Sequence, residues 1–397
     1  MIREGKKQPN KQRKEFGEPM KRKSVLLLTS VVLAAMLLGG CGKEDESANA
    51  SILDDIEEET VEAEEPEVVE ETETEAEEEE EIPEGMYRSE LTNEWIDESL
   101  KNQRPIAAMV DNEKTALPHF GLSDADVVYE IMNSTKNGRI TRLMAVVKDW
   151  GKIEQLGSIR STRPTNILLA AEWNAVLCHD GGPFYIDPYL ANDYSAHFSG
   201  GFDRVDNGKA REFTEYICTG NLDSKFGSSN YSTEYDKFYA GKDVEDYQHF
   251  NFSDDELTLE GDGVIDATEI SLPFSHNQST LKYNADTQTY DYYEYGSVHV
   301  DAGNDNKVLT FKNVLIQNCT FHQYDENGYM IYNCIDASNR DGYYVTNGKA
   351  MPITWAKTGD AEPTRYFDKD GNEITINTGK TYITLVPDDG WKDMSIK

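Results

Sequence analysis

The apolar residues of this chain gather in short runs rather than long stripes. From Ile106 the runs read IAAMV, DVVYEIM, ITRLMAVV and NAVLC. Each has the length and β-branched content of a buried strand. One helical pattern, TNILLAAEW, separates the third run from the fourth, with Thr162 as its candidate N-cap and Pro164 in its first turn, where a missing N–H costs nothing. The succession strand, strand, strand, helix, strand predicts an α/β sheet unit. Residues 185–262, rich in Tyr, Asp, Ser and Gly, have weak periodicity, and a helix is expected over Ala210–Ile217. From Glu269 the pattern turns to alternation, in EISLPFS, LKYNADTQTYDYYEYG, KVLTFKNVLIQNCTFHQY, GYMIYNCI and GYYVTNGKAMPITWAK. Turn signals at Asn327-Gly328, Asn347-Gly348 and Asp370-Gly371 punctuate these runs and predict mainly antiparallel sheet. The expected class is α+β: an N-terminal α/β sheet domain over residues 86–262, then a mainly antiparallel β domain over 263–397.

The segment before this body has a different character. Lys21, Arg22 and Lys23 precede an apolar run from Val25 to Leu38, which ends in LGGC at Cys41. This reads as a signal peptide over residues 1–40 that starts at Met20, with residues 1–19 upstream of the true start. The run is too short to cross roughly 30 Å of hydrocarbon. Small residues before Cys41 match a bacterial lipoprotein processing box, so Cys41 is the expected lipidated N-terminus. The body is then expected outside the cell, held to the membrane by lipid. Residues 41–85 are almost all acidic and form an expected disordered spacer.

Charge narrows the partners. With 74 Asp and Glu against 38 Lys and Arg, the net charge is −36. Nucleic acid and anionic lipid surfaces both select clustered cations, so neither is an expected partner. Any anion site must be local.

Such a site has candidates. Asp111 and Asn112, Glu130, Arg160 and Arg163, and His179 and Asp180 each lie at or just beyond the carboxyl end of an apolar run. In open α/β sheets those ends converge on the ligand crevice. Arg160 and Arg163 stand just before a helix, whose free N–H groups favour anions and to which guanidinium forks add bidentate donors. Arg139 and Arg142 open another strand and extend the charge. Structural ion pairing within an acidic body competes with this reading.

Other motifs carry less. No C-x-x-C, H-E-x-x-H or G-x-S-x-G occurs, so no catalytic residue, metal or cofactor is assigned. GDGVIDATEIS resembles part of a calcium loop, but its first ligand position falls on Thr258, and a plain loop into a strand is expected. If Tyr324 pairs with Tyr329, Cys319 faces Cys334 across a hairpin, within disulfide range. Cys178 and Cys218 remain as thiols or a second bridge.

RPIAAMVDN, GLSDADVVYE, GRITRLMAVV, GSIRSTRP and NAVLCHDGG, followed by FKNVLIQ, NGKAMPITWAK, PTRYFDKDGNEI and GKTYITLVP, resemble the YerB-like bacterial lipoprotein family. The resemblance covers roughly residues 104–387. It implies an envelope lipoprotein with N- and C-terminal halves and brings no established activity. A remoter likeness is to the LytR-CpsA-Psr phosphotransferases. Arg139 and Arg160 match the arginines of that family's pyrophosphate motifs, but Thr141 and Ser161 stand where its aspartates would be. That departure removes the implied magnesium ligands and favours binding of an anionic envelope ligand over transfer. A phosphotransferase-like enzyme and a structural assembly factor with a protein partner remain the alternatives.

Overall fold

The short apolar runs become strands of one mixed sheet. The computed structural model describes residues 82–236 and 248–397, which belong to a unit running from Glu77 to Lys397. The signal segment, Cys41 and the acidic spacer up to residue 81 lie outside the described residues.

The N-terminal half supplies β1 (Ile106–Asp111), β2 (Val127–Met132), β3 (Thr141–Val147), α1 (Pro164–Glu172), β4 (Val176–His179) and β5 (Ala196–Ser199). The C-terminal half supplies β6 (Ile265–Asp266), β7 (Glu269–Ser271), β8 (Thr280–Asn284), β9 (Thr289–Glu294), β10 (Asn313–Cys319), β11 (Asp336–Thr346), β12 (Lys349–Lys357) and β13 (Thr381–Pro387). The main sheet has eleven strands in the order β6-β12-β11-β10-β13-β2-β3-β1-β4-β5, with Arg365–Phe367 also paired to β12. Neighbours are parallel at β10–β13, β13–β2, β1–β4 and β4–β5, and antiparallel elsewhere.

Every residue of β1, β2, β3, β10 and β13 is buried, which is why their sequences are nearly continuous apolar runs rather than alternating ones. Strands β7, β8 and β9 belong to a second, antiparallel sheet. There alternation is clear: Tyr290, Tyr292 and Glu294 of β9 are buried, and the residues between them are only partly so. Together these elements make an α+β fold, a mixed sheet with few helices followed by an antiparallel β region.

Three local expectations are corrected. Residues 210–217 form a 3-10 turn, Arg211–Phe213, and then a strand, Glu215–Cys218, paired to Gln155–Gly157. Aromatic and β-branched side chains, Phe213, Tyr216 and Ile217, are buried there, and a pleated surface holds such residues better than a helix does. The N-cap of α1 is Arg163, one residue beyond Thr162, with the Asn166 side chain accepting the Arg163 N–H at 3.3 Å.

The third correction is the disulfide. Tyr324 N–H donates to Tyr329 O at 2.7 Å and Asn333 N–H to Thr320 O at 2.9 Å, so the hairpin register is the expected one. Cys319 and Cys334 are nonetheless free thiols. Beyond Thr320 the chain leaves the hairpin, and Cys319 sits in β10 beside Pro387. Burial pushes both thiols up, Cys334 to about 12. Thiolate, the species that attacks in disulfide chemistry, is therefore disfavoured at both sulfurs. Cys178 and Cys218 are free as well.

Candidate functional site

Strand direction brings most of the expected site residues to one edge of the main sheet. β1, β2 and β4 run the same way, so Asp111, Glu130 and His179 end at that edge, and antiparallel β3 starts there with Arg142 opposite Asp111. The loop before α1 runs beside β1, with Arg160 N–H donating to Met109 O at 2.9 Å. It also runs beside the loop after β4, where Asp180 N–H donates to Arg160 O at 2.9 Å.

The pleat then divides these residues between two faces, because neighbours along a strand point oppositely. On one face Asp111 meets arginines. Arg160 Nε lies 2.7 Å from Asp111 Oδ2, and Arg142 Nη2 lies 4.0 Å from Asp111 Oδ1. Arg142 also donates to Ser161 O at 2.6 Å, and Arg163 donates to Thr162 O at 2.8 Å while its guanidinium lies 4.8 Å from the centre of the Tyr329 ring. Burial pushes Arg142 down to about 10 and Arg163 to about 9, and neighbouring arginines add to each shift. Asp111 is the buried carboxylate this group shares; Glu212, 3.5 Å from Arg160 Nη1, is exposed. Nε of Arg142 and Nε of Arg163 have no hydrogen-bond partner. The result is a local excess of positive charge inside an acidic protein, with donors to spare. Its outer end meets solvent: the Arg160 side chain is 26% exposed, and Glu212 lines a cleft of about 500 Å³ together with Asp180, Arg204 and Arg211.

On the other face Asn112 and Glu130 turn toward the second sheet. Glu130 accepts from Thr141 Oγ1 and Ser279 Oγ, each at 2.6 Å, from Tyr292 OH at 3.0 Å, from Asn112 Nδ2 at 3.3 Å and from Tyr382 OH. Burial raises its pKa against these donors. Glu130 is thus the centre of a closed hydrogen-bond network joining the two sheets. Arg139 is elsewhere too, in a two-pronged pair with Asp389 at 2.7 and 2.8 Å. His179 lies on the arginine side of the pleat, but its ring is engaged by Gly181 O at 2.8 Å and His197 Nδ1 at 3.1 Å. Asp180 pairs with Arg204 at 3.1 Å.

A surface hollow of about 610 Å³ is lined among others by Phe120, Asp124, Lys152 and Glu154, where two acids outnumber the lysine and no cationic excess gathers. A buried trio, His119, Glu294 and His299, was not singled out from the sequence. Among the described residues it is the set of His, Cys, Asp or Glu side chains placed to share a cation, its ligand atoms lying within 4.8 Å of one another. One signal was present: alternation in TYDYYE puts Glu294 on the face of Tyr290 and Tyr292.

Residues 91–232 match the family described as "Protein of unknown function (DUF3048) N-terminal domain", and residues 270–383 match its C-terminal domain. The chain belongs to this family. A relative in Bacillus subtilis (strain 168), named "Putative lipoprotein YerB", is 23% identical over 312 residues, covering 76% of this chain and 86% of its own length. The crystal structure of YerB protein from Bacillus subtilis superposes with a TM-score of 0.65 at 20% identity, over 78% of this chain and 99% of that one. The likeness establishes a shared fold across both halves. Among the described residues no helix is long and apolar enough to cross a membrane.

Proposed function

We propose that this protein is a lipid-anchored envelope lipoprotein that binds a phosphate- or pyrophosphate-bearing ligand through Arg142, Arg160 and Arg163. One observation carries the reading: three neighbouring guanidinium groups gather about one buried carboxylate, Asp111, which pairs with Arg160 and Arg142 and leaves Arg163 without an ion-pair partner of its own among the described residues. Gathering like charges in a buried place is unfavourable unless an anion completes the set. The position before α1 adds helix N–H groups of the same sign. The LGGC sequence at Cys41 and the name of the Bacillus relative support the lipid anchor and an extracytoplasmic location. Asp111 is already held by Arg160, which leaves no free carboxylate pair for magnesium and favours binding over phosphoryl transfer.

The test is calorimetric titration of the full chain with inorganic pyrophosphate and with a polyprenyl pyrophosphate. Charge-assisted hydrogen bonds contribute roughly 1.5–3 kcal/mol each, so Arg160→Ala should weaken binding by about tenfold to a hundredfold. Its ligand-free melting temperature should fall only modestly, because Arg142 and the Glu113 N–H still face Asp111 and Arg160 is itself partly exposed. If the wild type binds neither compound and Arg160→Ala lowers the melting temperature sharply, the arginines are structural ion-pair partners and the reading fails.

A further inference from the structure

We propose that His119, His299 and Glu294 form a binding site for a divalent transition metal, of which Zn²⁺ is the best chemical match. The three side chains come from two distant parts of the chain: His119 from the loop after β1, and Glu294, at the end of β9, with His299 five residues further on. All are buried, at 0%, 2% and 4% exposure.

The hydrogen bonds define which nitrogen is free. His119 Nε2 lies 2.6 Å from the main-chain oxygen of Asp111, an acceptor, so Nε2 carries the hydrogen and Nδ1 presents its lone pair. That lone pair accepts from His299 Nε2, 2.9 Å away; to ligate, His299 takes the tautomer protonated at Nδ1, which frees Nε2, 3.7 Å from Glu294 Oε1. Two ligand atoms held 2.0–2.1 Å from one tetrahedral ion are about 3.3 Å apart. The distances 2.9 and 3.7 Å bracket that value, and the remaining pair, His119 with Glu294, lies within 4.8 Å. A histidine whose second ring nitrogen donates to a backbone carbonyl is also the usual outer support of a metal ligand, because the bond fixes tautomer and ring orientation.

Glu294 supplies an independent reason. Neither of its carboxylate oxygens has a hydrogen-bond partner, although both are buried. Glu130, with its five donors, shows how this protein satisfies a buried carboxylate elsewhere in the same interior. Glu294 has no such set; what faces it is imidazole nitrogen. A buried carboxylate without donors is costly, and a cation shared with two neutral imidazoles removes that cost. Two imidazoles and one carboxylate suit Zn²⁺, whereas magnesium and calcium prefer an all-oxygen set. The remaining tetrahedral position would take water. Because His119 belongs to the N-terminal half and the other two ligands to the C-terminal half, the ion would fasten the halves together.

The experiment uses the full chain, stripped with a chelator and reloaded with Zn²⁺ or Co²⁺. About one equivalent should bind, Co²⁺ should give the visible absorption of a tetrahedral nitrogen–oxygen site, and Zn²⁺ should raise the melting temperature. Glu294→Gln, close in shape and uncharged, should keep its circular dichroism spectrum and bind at least tenfold more weakly, and His299→Ala should bind still less. Wild type that takes up no metal at micromolar concentration, or Co²⁺ uptake with the same spectrum and affinity in Glu294→Gln, would overturn the assignment. The wild-type measurements decide the matter even if a variant fails to fold.

Discussion

His179 holds its place through an uncharged ring. Nδ1 donates to Gly181 O, which leaves the Nε2 lone pair facing His197, and burial drives the pKa down to about 4 from an ordinary 6.5. A group with a depressed folded-state pKa binds fewer protons in the native than in the unfolded chain between those two values. Stability is therefore fully present above about pH 6.5 and is lost as pH falls toward 4, by roughly 3 kcal/mol from this residue. Urea unfolding between pH 7 and 4 should show that loss in the wild type and a flatter profile in His179→Asn. Equal slopes in the two proteins would remove His179 as the cause. The same residue shows what a sequence can and cannot disclose. Its arrival at the same sheet edge as Asp111 follows from strand direction, but its engagement with His197 depends on β5, whose pairing no local pattern announces.

At the level of elements, the turn between β11 and β12 is set by two residues. Thr346 pairs with Lys349, leaving Asn347 and Gly348 as a two-residue loop with φ of 49° and 74°. Both are left-handed, as a tight hairpin with right-twisted strands requires. A Cβ on Gly348 would lie 3.0 Å from Cδ1 of Tyr283. Gly348→Ala should thus lose about 1–3 kcal/mol in urea unfolding at unchanged slope, through backbone strain together with the clash. Gly371→Ala, at φ 84° with open space around it, should lose less; equal losses would show that the Tyr283 contact contributes nothing. Such turns were legible because Asn-Gly carries its own conformational demand. The 210–217 segment was not, since a few apolar residues among charged ones fit a helix or a strand, and its partner Gln155–Gly157 decides. Likewise the arginines could be read from GSIRSTRP, while the lone carboxylate they share appears only when Asp111 is placed opposite Arg142.

Across the whole molecule, the joint between the halves is built from the last long strand. β13 lies between β10 and β2, pairing Thr381 with Val127 and Leu385 with Ile131. Local periodicity cannot reveal a partner so distant in sequence, which is why the halves read as separate domains while the main sheet runs through both. A second tie is Glu172 of α1, which accepts from Lys357 of β12 at 3.1 Å and from Thr364 Oγ1 at 2.7 Å, with both charges fully buried. Removing one side of a buried pair typically costs 3–5 kcal/mol, and cutting the chain at residue 262 would remove one side of this pair and expose the edge of β2 together. A fragment of residues 86–262 should therefore show no cooperative thermal transition, and the full chain should unfold in one step, with fluorescence and circular dichroism tracing the same curve. A folded fragment, or two separable transitions in the full chain, would mean that the sheet's continuity does not couple the halves and that the boundary in sequence is also one in stability.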